Sequence, residues 1–323
     1  MKAALSSIVP EQQQQDSEFL KDVLEGLGGK IKTLPCKYLY DELGSRLFED
    51  ICEVEDYYLT RTEADIFSKN LKDIAFTIGP EALMIEPGAG NCEKVEALLA
   101  VLESPKGYYP IDISSEILFQ AERRIKRNLP GMQVWSQVGD FTQPDVWDKL
   151  ARISSRKRVV FFPGSTIGNF ELDKAEQLLE LFAANLGVGD GLLIGTDLVK
   201  DSVRLERAYH DSEHVTEKFN KNILNRINAE LGADFDHTLF AHRSFYHQLR
   251  QRVEMHLVCL KNHSVSVAGS QVDFLEGETI HTENSHKYSI NGFSKLLSKG
   301  GFAPICHWKD SAKSYAIHYA QVV

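Results

Sequence analysis

The chain has 323 residues, 43% of them hydrophobic and 25% charged, which is long enough for a large sheet core and a second lobe. Its formal net charge is −10, with no Lys/Arg cluster or basic tail, so it lacks the basic face that a nucleic-acid partner requires. Nowhere does an apolar run reach the roughly 18 residues of a membrane span, so no membrane partner is expected.

From the N-terminus, residues 1–15 lack a signal peptide's apolar core and close on the glutamine run Gln12 to Gln15, so a disordered tail is expected there. The chain up to about Ile66 carries helical periodicity, the polar turn 40–45 and the aromatic pair Tyr57 and Tyr58. Residues 84–94 are the most informative stretch. An apolar run ends in Glu86, Gly88 and Gly90 alternate with small residues, and a helix begins. The glycines remove Cβ atoms that hold a ligand off the main chain, and the amides opening the helix donate to a polar group. Position 93 is Glu93, where a dinucleotide fingerprint has its third glycine, which argues against nicotinamide and flavin.

The next run, 107–112, ends on Asp112, an acid placed to bridge two ribose hydroxyls. Residues 133–141 end on Asp140 and Phe141, an acid for the exocyclic amine of adenine and an aromatic ring for its face. A fourth run, 158–164, enters a loop with Ser165, Thr166 and Asn169, and a fifth spans 191–197. Five strand-like runs alternating with helices predict a parallel sheet with ligands at its carboxyl edge. One acid at a strand end is usually just solvated; three closing successive strands on the ligand edge point to a nucleoside site.

Between Asp197 and His286 lies an insertion too long for a loop. A helical stripe over 202–231 leads to strand-like runs 253–260 and 264–268, which are expected to pair with each other. A helix after Gly292, a break at Gly300 and Gly301, and a terminal hairpin complete the chain. The expected organisation is therefore a nucleoside-binding domain of 62–197 and 286–323, interrupted by a substrate-binding lobe of 16–61 and 198–285. His210 and His214 stand four apart, but Asp211 occupies the place where the zincin pattern has Glu, so no metal site is expected. Five scattered cysteines without Cys-x-x-Cys spacing suit reduced thiols in a cytoplasmic protein. Cys92 has no identifiable His partner and no Gly-x-Ser-x-Gly elbow occurs, which speaks against nucleophilic catalysis.

From about Leu34 onward the sequence resembles the S-adenosylmethionine-dependent histidine N-alpha-methyltransferases of ergothioneine biosynthesis and the fungal relatives that methylate a prenylated tryptophan. The most specific blocks are Tyr38-Leu-Tyr-Asp-Glu-Leu-Gly-Ser-Arg-Leu-Phe48, Tyr57-Tyr-Leu-Thr-Arg-Thr-Glu-Ala64, Gly164-Ser-Thr-Ile-Gly-Asn169, Gly195-Thr-Asp-Leu-Val-Lys-Asp201 and Glu230-Leu-Gly-Ala-Asp-Phe-Asp236. The resemblance implies an α/β fold, a Rossmann-like class I methyltransferase sheet with a C-terminal antiparallel hairpin, plus a second α+β substrate lobe. It further implies a monomeric enzyme that moves three methyl groups in succession onto the α-amino group of L-histidine, giving hercynine. By the same resemblance, Tyr40, Gly88, Lys94, Asp112, Asp140 and Phe141 hold S-adenosyl-L-methionine. Tyr57, Gly164, Asn169, Tyr209, Met255, Glu283 and Ser285 hold the amino acid, with Tyr40 and Asn169 nearest the methyl-transfer centre.

Neutral donors suit a substrate carboxylate here, because a cation would repel both the sulfonium and the amine. Glu283 can accept from one imidazole N–H while Ser285 bonds the other nitrogen, whereas an indole satisfies only one of them. Their presence favours histidine. Two alternatives stay open: an N-methyltransferase for another amino acid or a prenylated tryptophan, and a non-catalytic nucleoside-binding module.

Overall fold

The computed structural model describes residues 11–90 and 92–323. In chain order the elements are α1 (Glu11–Gly28), β1 (Lys32–Thr33), α2 (Glu42–Glu53), α3 (Tyr58–Ile78), β2 (Ala82–Pro87), α4 (Glu93–Leu99), β3 (Gly107–Asp112), α5 (Ser115–Asn128), β4 (Gln137–Val138), β5 (Lys157–Phe162), α6 (Leu172–Ala184) and β6 (Gly191–Asp197). They continue with α7 (Ser202–Tyr209), α8 (Val215–Leu231), β7 (Phe240–His247), β8 (Arg252–Cys259), β9 (His263–Val267), β10 (Ser270–Phe274), β11 (Thr279–His286), α9 (Ile290–Lys299), β12 (Phe302–Lys309) and β13 (Tyr315–Val322). The chain divides into two compact units, one of residues up to Tyr58 with Asp201–Asn284, the other of Leu59–Lys200 with Ser285–Val323.

The second unit is a seven-stranded sheet in the order β12-β13-β6-β5-β2-β3-β4. β2 to β6 run parallel, and β13 is antiparallel to both β6 and β12. Successive strand residues serve opposite faces: Leu83, Ile85, Val160 and Phe162 enter one core, and Met84, Val159 and Phe161 the other. Helices cover both faces, α6 and α9 on the first through Leu178, Phe182 and Phe293, and α3, α4 and α5 on the second through Ile66, Leu98 and Ile125. Burial on both sides is why these strands read as unbroken apolar runs. Strand order reverses between β2 and β5, which puts a crevice at the carboxyl ends of the parallel strands.

The first unit is a four-stranded sheet, β1-β11-β8-β7, with the hairpin β9-β10 beside α1, α2, α7 and α8. α8 packs across α2, β7 and β8, and Asn222 Nδ2 donates to Asp41, the N-cap of α2, at 2.7 Å.

Several expectations need correction. The tail expected over 1–15 falls largely outside the described residues, and from Glu11 the chain is already helical. The stripe over 202–231 is two helices. Asp211 stops the first and caps the second, accepting from Val215 N at 2.9 Å and Thr216 N at 2.8 Å, and His214 takes a left-handed φ of 57°. The runs 253–260 and 264–268 do not pair with each other: β8 pairs with β7, and β9 with β10. A short strand takes whichever partner buries its apolar face, and that information is not local. The run 133–140 keeps only Gln137–Val138 as strand.

Candidate active site

In the second unit the ligand edge begins where β2 ends. The chain turns at Gly88 (φ 72°) and Gly90 (φ 48°), in the left-handed region that glycine occupies without strain. Both are exposed, and among the described residues, chain neighbours apart, no atom lies within 4 Å of where a Cβ on Gly90 would stand. Asp112, buried at the end of β3, accepts from Ser114 N at 2.9 Å. Burial pushes its pKa up, against the pull of the backbone amides of Ser114, Gly90, Ile113 and Ala89. Those amides lock the acid to the glycine loop.

Asp140 Oδ1 accepts from Thr142 N at 2.9 Å and from its hydroxyl at 2.6 Å, which fixes the carboxylate. Phe141 stands edge to face with Phe162 at 5.6 Å, and its carbonyl accepts from Trp147 Nε1 at 2.9 Å. A Cβ on Gly88 would lie 3.7 Å from the Phe141 ring, so the aromatic face and the glycine turn border the same space. An exposed glycine turn, an acid locked to it and a braced aromatic ring fit an adenosine: main-chain approach, hydroxyl acceptor and a surface for the base.

Glu63 was missed by sequence reasoning. It lies on the apolar stripe of α3 with Leu59, Ile66 and Phe67, is 1% exposed, and serves three partners. It accepts from Gly164 N at 2.9 and 3.1 Å and from the Tyr315 hydroxyl at 2.7 Å, and it pairs with Lys94. A Cβ on Gly195 would come within 2.3 Å of Glu63 Oε1, so glycine is required there. An acid on a buried helical stripe is the signal that marks it. Glu63 thus holds Lys94, at the start of α4, and Gly164, after β5. Asn169 closes the one-turn helix Thr166–Asn169 in the same loop. Glu86, fully enclosed beside Tyr108, is pushed up to about 8 by burial, despite the Tyr108 hydrogen bond and the nearby Lys94 cation.

Ser285 is buried in this unit as well, and its Oγ accepts from Lys287 Nζ at 2.8 Å. Lys287 pairs with Asp197 at 2.9 Å, both side chains 0% exposed. Burial alone would raise Asp197, but Lys287 and Lys200 outweigh it and hold the carboxyl below its ordinary range.

In the first unit, Tyr57, Tyr209, Met255 and Glu283 line one cleft together with Phe48 and Phe219, all buried except the half-buried Phe48. Its free volume is about 20 Å³, room for about one water, so chemistry of the lining rather than size identifies the occupant. Tyr57 and Tyr209 stand edge to face at 6.1 Å, and Tyr40 joins the cluster through Phe219 at 5.3 Å and Phe48 at 5.5 Å. Burial, followed by the charge of Glu283, raises Tyr40 well above the ordinary phenol range. Tyr57 is raised likewise, by burial first and then by its neighbour Tyr209. Both phenols therefore stay protonated and act as O–H donors.

Histidines group here too. Glu254, His256 and His281 bring ligand-type atoms within 4.8 Å of one another. Arg252 donates to Glu254 from Nε and Nη2, each at 2.8 Å, and the two imidazoles stack at 4.7 Å. The carboxylate charge is already met by a guanidinium, a poor setting for a metal cation. The paired His210 and His214 noted in the sequence lie across the break between α7 and α8, with ring centroids 6.5 Å apart. Burial pushes the Cys92 thiol up to about 12, which suits a packing role.

The family model for histidine-specific, S-adenosylmethionine-dependent methyltransferases matches residues 19–322. The chain is 36% identical to the histidine N-alpha-methyltransferase of Mycolicibacterium smegmatis, over 93% of this chain and 94% of that one. It is also 36% identical to the enzyme of the same name from Mycobacterium tuberculosis, with the same coverage of both chains. Ergothioneine biosynthesis protein 1 of Neurospora crassa is 28% identical over 89% of this chain, which corresponds to 33% of that longer protein. The match covers most of the chain, and the chain belongs to the histidine-specific, S-adenosylmethionine-dependent methyltransferases.

Proposed function

We propose that the protein methylates the α-amino group of L-histidine three times in succession, with the glycine-loop edge holding the donor and the phenol-lined cleft holding the amino acid. The observation that carries this assignment is the cleft itself: two buried tyrosines, of which Tyr57 is held protonated, with one carboxylate and no cation among the described residues of its lining. S-adenosylmethionine supplies an electrophilic methyl group on a sulfonium centre. Gly88 and Gly90 give its nucleoside access to the main chain, Asp112 accepts from the ribose hydroxyls, and Asp140 and Phe141 take the adenine. Lys94, paired with Glu63 at the start of α4, joins them in holding the cofactor.

Tyr57 and Tyr209 donate to the substrate carboxylate as neutral phenols. Tyr40 and Asn169 orient the amine so that its lone pair lies on the line of attack, and this positioning supplies most of the acceleration. A neutral amine is the nucleophile, and a neighbouring cation lowers its pKa enough to make one available. Glu283 accepts from one imidazole N–H. Ser285 already accepts from the Lys287 ammonium, which polarises its hydroxyl and strengthens it as a donor to the second ring nitrogen.

Mass spectrometry of histidine incubated with enzyme and S-adenosylmethionine tests the assignment, with gains of one, two and three methyl groups expected. Methylated tryptophan with untouched histidine would overturn it.

A further inference from the structure

Behind the cleft of the first unit runs a buried chain of hydrogen bonds that the reaction as described leaves unused, and its direction can be assigned atom by atom. Thr282 Oγ1 lies 2.5 Å from Asn220 Oδ1 and 3.1 Å from the Met255 carbonyl oxygen, and its single proton is donated to the nearer, Asn220, with the Met255 carbonyl beside it. Asn220 Nδ2 donates to the His256 carbonyl at 3.2 Å, a contact that fixes the amide's orientation, and it lies 2.9 Å from His242 Nδ1. His242 Nε2 is 2.8 Å from the Tyr209 carbonyl oxygen.

An amide nitrogen only donates and a carbonyl oxygen only accepts. His242 must therefore be neutral, bare at Nδ1 and carrying its hydrogen on Nε2. Burial, the largest influence on it, holds its pKa below the ordinary imidazole range, in keeping with that tautomer. Asn220 is 0% exposed, Thr282 2% and His242 8%, so water does not compete for these bonds.

The ends of this chain coincide with the walls of the cleft. Tyr209 is the last residue of α7, Met255 lies in β8, and Thr282 immediately precedes Glu283 in β11. Asn220, in α8, bonds Thr282 directly, β8 at the His256 carbonyl, and Tyr209 through His242. We propose that His242 and Asn220 are positioning residues for the amino-acid site. They set the backbone of Tyr209 against the strands that carry Met255 and Glu283, and so fix the spacing between the carboxylate-binding hydroxyl and the side-chain-reading carboxylate. The inference rests on the reading of Tyr209 as a contact of the substrate carboxylate.

The imidazole allows a paired test. In His242→Gln the side-chain amide nitrogen falls where Nε2 stood and still reaches the Tyr209 carbonyl. In His242→Asn an acceptor remains for Asn220 but the side chain stops short of Tyr209. The histidine KM is expected to rise about tenfold in His242→Asn, as for one lost hydrogen bond, and to recover in part in His242→Gln, which keeps the bond to Tyr209 but not the acceptor for Asn220. S-adenosylhomocysteine affinity by calorimetry stays unchanged in both, and kcat moves far less than KM. Thr282→Val, nearly isosteric, cuts the other end and raises the histidine KM without an imidazole change, so the test survives if His242→Asn does not fold.

Tyr209→Phe separates the two layers. An unchanged KM there removes the carboxylate reading and the positioning role with it. A raised KM in Tyr209→Phe beside unchanged values in folded His242→Asn and Thr282→Val overturns the positioning role alone. A parallel fall in kcat, KM quality and cofactor affinity that His242→Gln does not rescue also overturns it, because that pattern marks general loosening.

Discussion

The ligand edge of the sheet unit and the cleft of the other unit hold their polar groups in different ways. In the sheet unit three buried carboxylates are each met by fixed partners: Glu63 by Lys94, Asp197 by Lys287, and Asp112 by amides of its own loop and of the glycine loop. In the other unit the cleft offers phenols that burial keeps neutral, with Glu283 as the carboxylate among them. The difference follows from the ligands. A nucleoside is held by hydroxyl and amine donors, so fixed acceptors on rigid strand ends serve it. An amino acid about to lose a proton and gain a methyl is better held by donors without charge, since a buried cation would oppose the approach of the cationic donor.

The largest expected effect that tests this contrast is at Glu283. Glu283→Ala leaves an imidazole N–H unpaired in a closed pocket and is expected to cost about 2 to 4 kcal/mol, roughly 30- to 1000-fold in kcat/KM for histidine. Tryptophan should lose far less, because its larger indole gains room and needs no second partner. The quantity to follow is the ratio of kcat/KM for histidine over tryptophan; a constant ratio means Glu283 does not read the ring.

Next is Asp112→Ala, expected to weaken cofactor binding by about 2 kcal/mol, roughly thirtyfold, while the histidine KM measured at saturating cofactor stays put. Calorimetry with S-adenosylhomocysteine measures it. If histidine binding suffers instead, the assignment of the acid to the donor side fails.

Tyr57→Phe removes one neutral donor and is expected to raise the histidine KM roughly fivefold to tenfold, with cofactor affinity within twofold of wild type. A variant that weakened only the cofactor would reverse the roles of the two units.

The smallest effect concerns Glu86. Its carboxyl is raised to about 8 in the folded protein, so between the ordinary carboxylate range and that value the folded chain keeps a proton that the unfolded chain has lost. The group's contribution to stability is therefore complete at low pH and falls as pH rises through this window. Glu86→Gln should flatten the decline by a few degrees of Tm across that range. Melting curves at several pH values for both proteins decide it, and an identical slope would show that Glu86 ionises freely.

What the sequence determined by itself is the part that depends on short stretches of chain. Apolar runs ending on Glu86, Asp112 and Asp197 became parallel strands because a strand buried on both faces is written as an unbroken apolar segment. Gly88 and Gly90 announced a turn because the left-handed backbone excludes most other residues. The aromatic pair Tyr57 and Tyr58 and the block around Tyr40 carried the family likeness, though not their placement in a cleft. The break between α7 and α8 was written in Asp211, yet its cap depends on which amides fold back onto it, and the apolar stripe ran on past it.

Only the tertiary structure decided the pairings made over long separations. β8 met β7 and β11, Glu63 met Gly164 and Tyr315, and Lys287 met Asp197. His242 met Tyr209 and Asn220 in the same way, and became a neutral, single-tautomer link. A buried polar residue takes its meaning from whichever partner satisfies it, and that partner is set by how the elements pack.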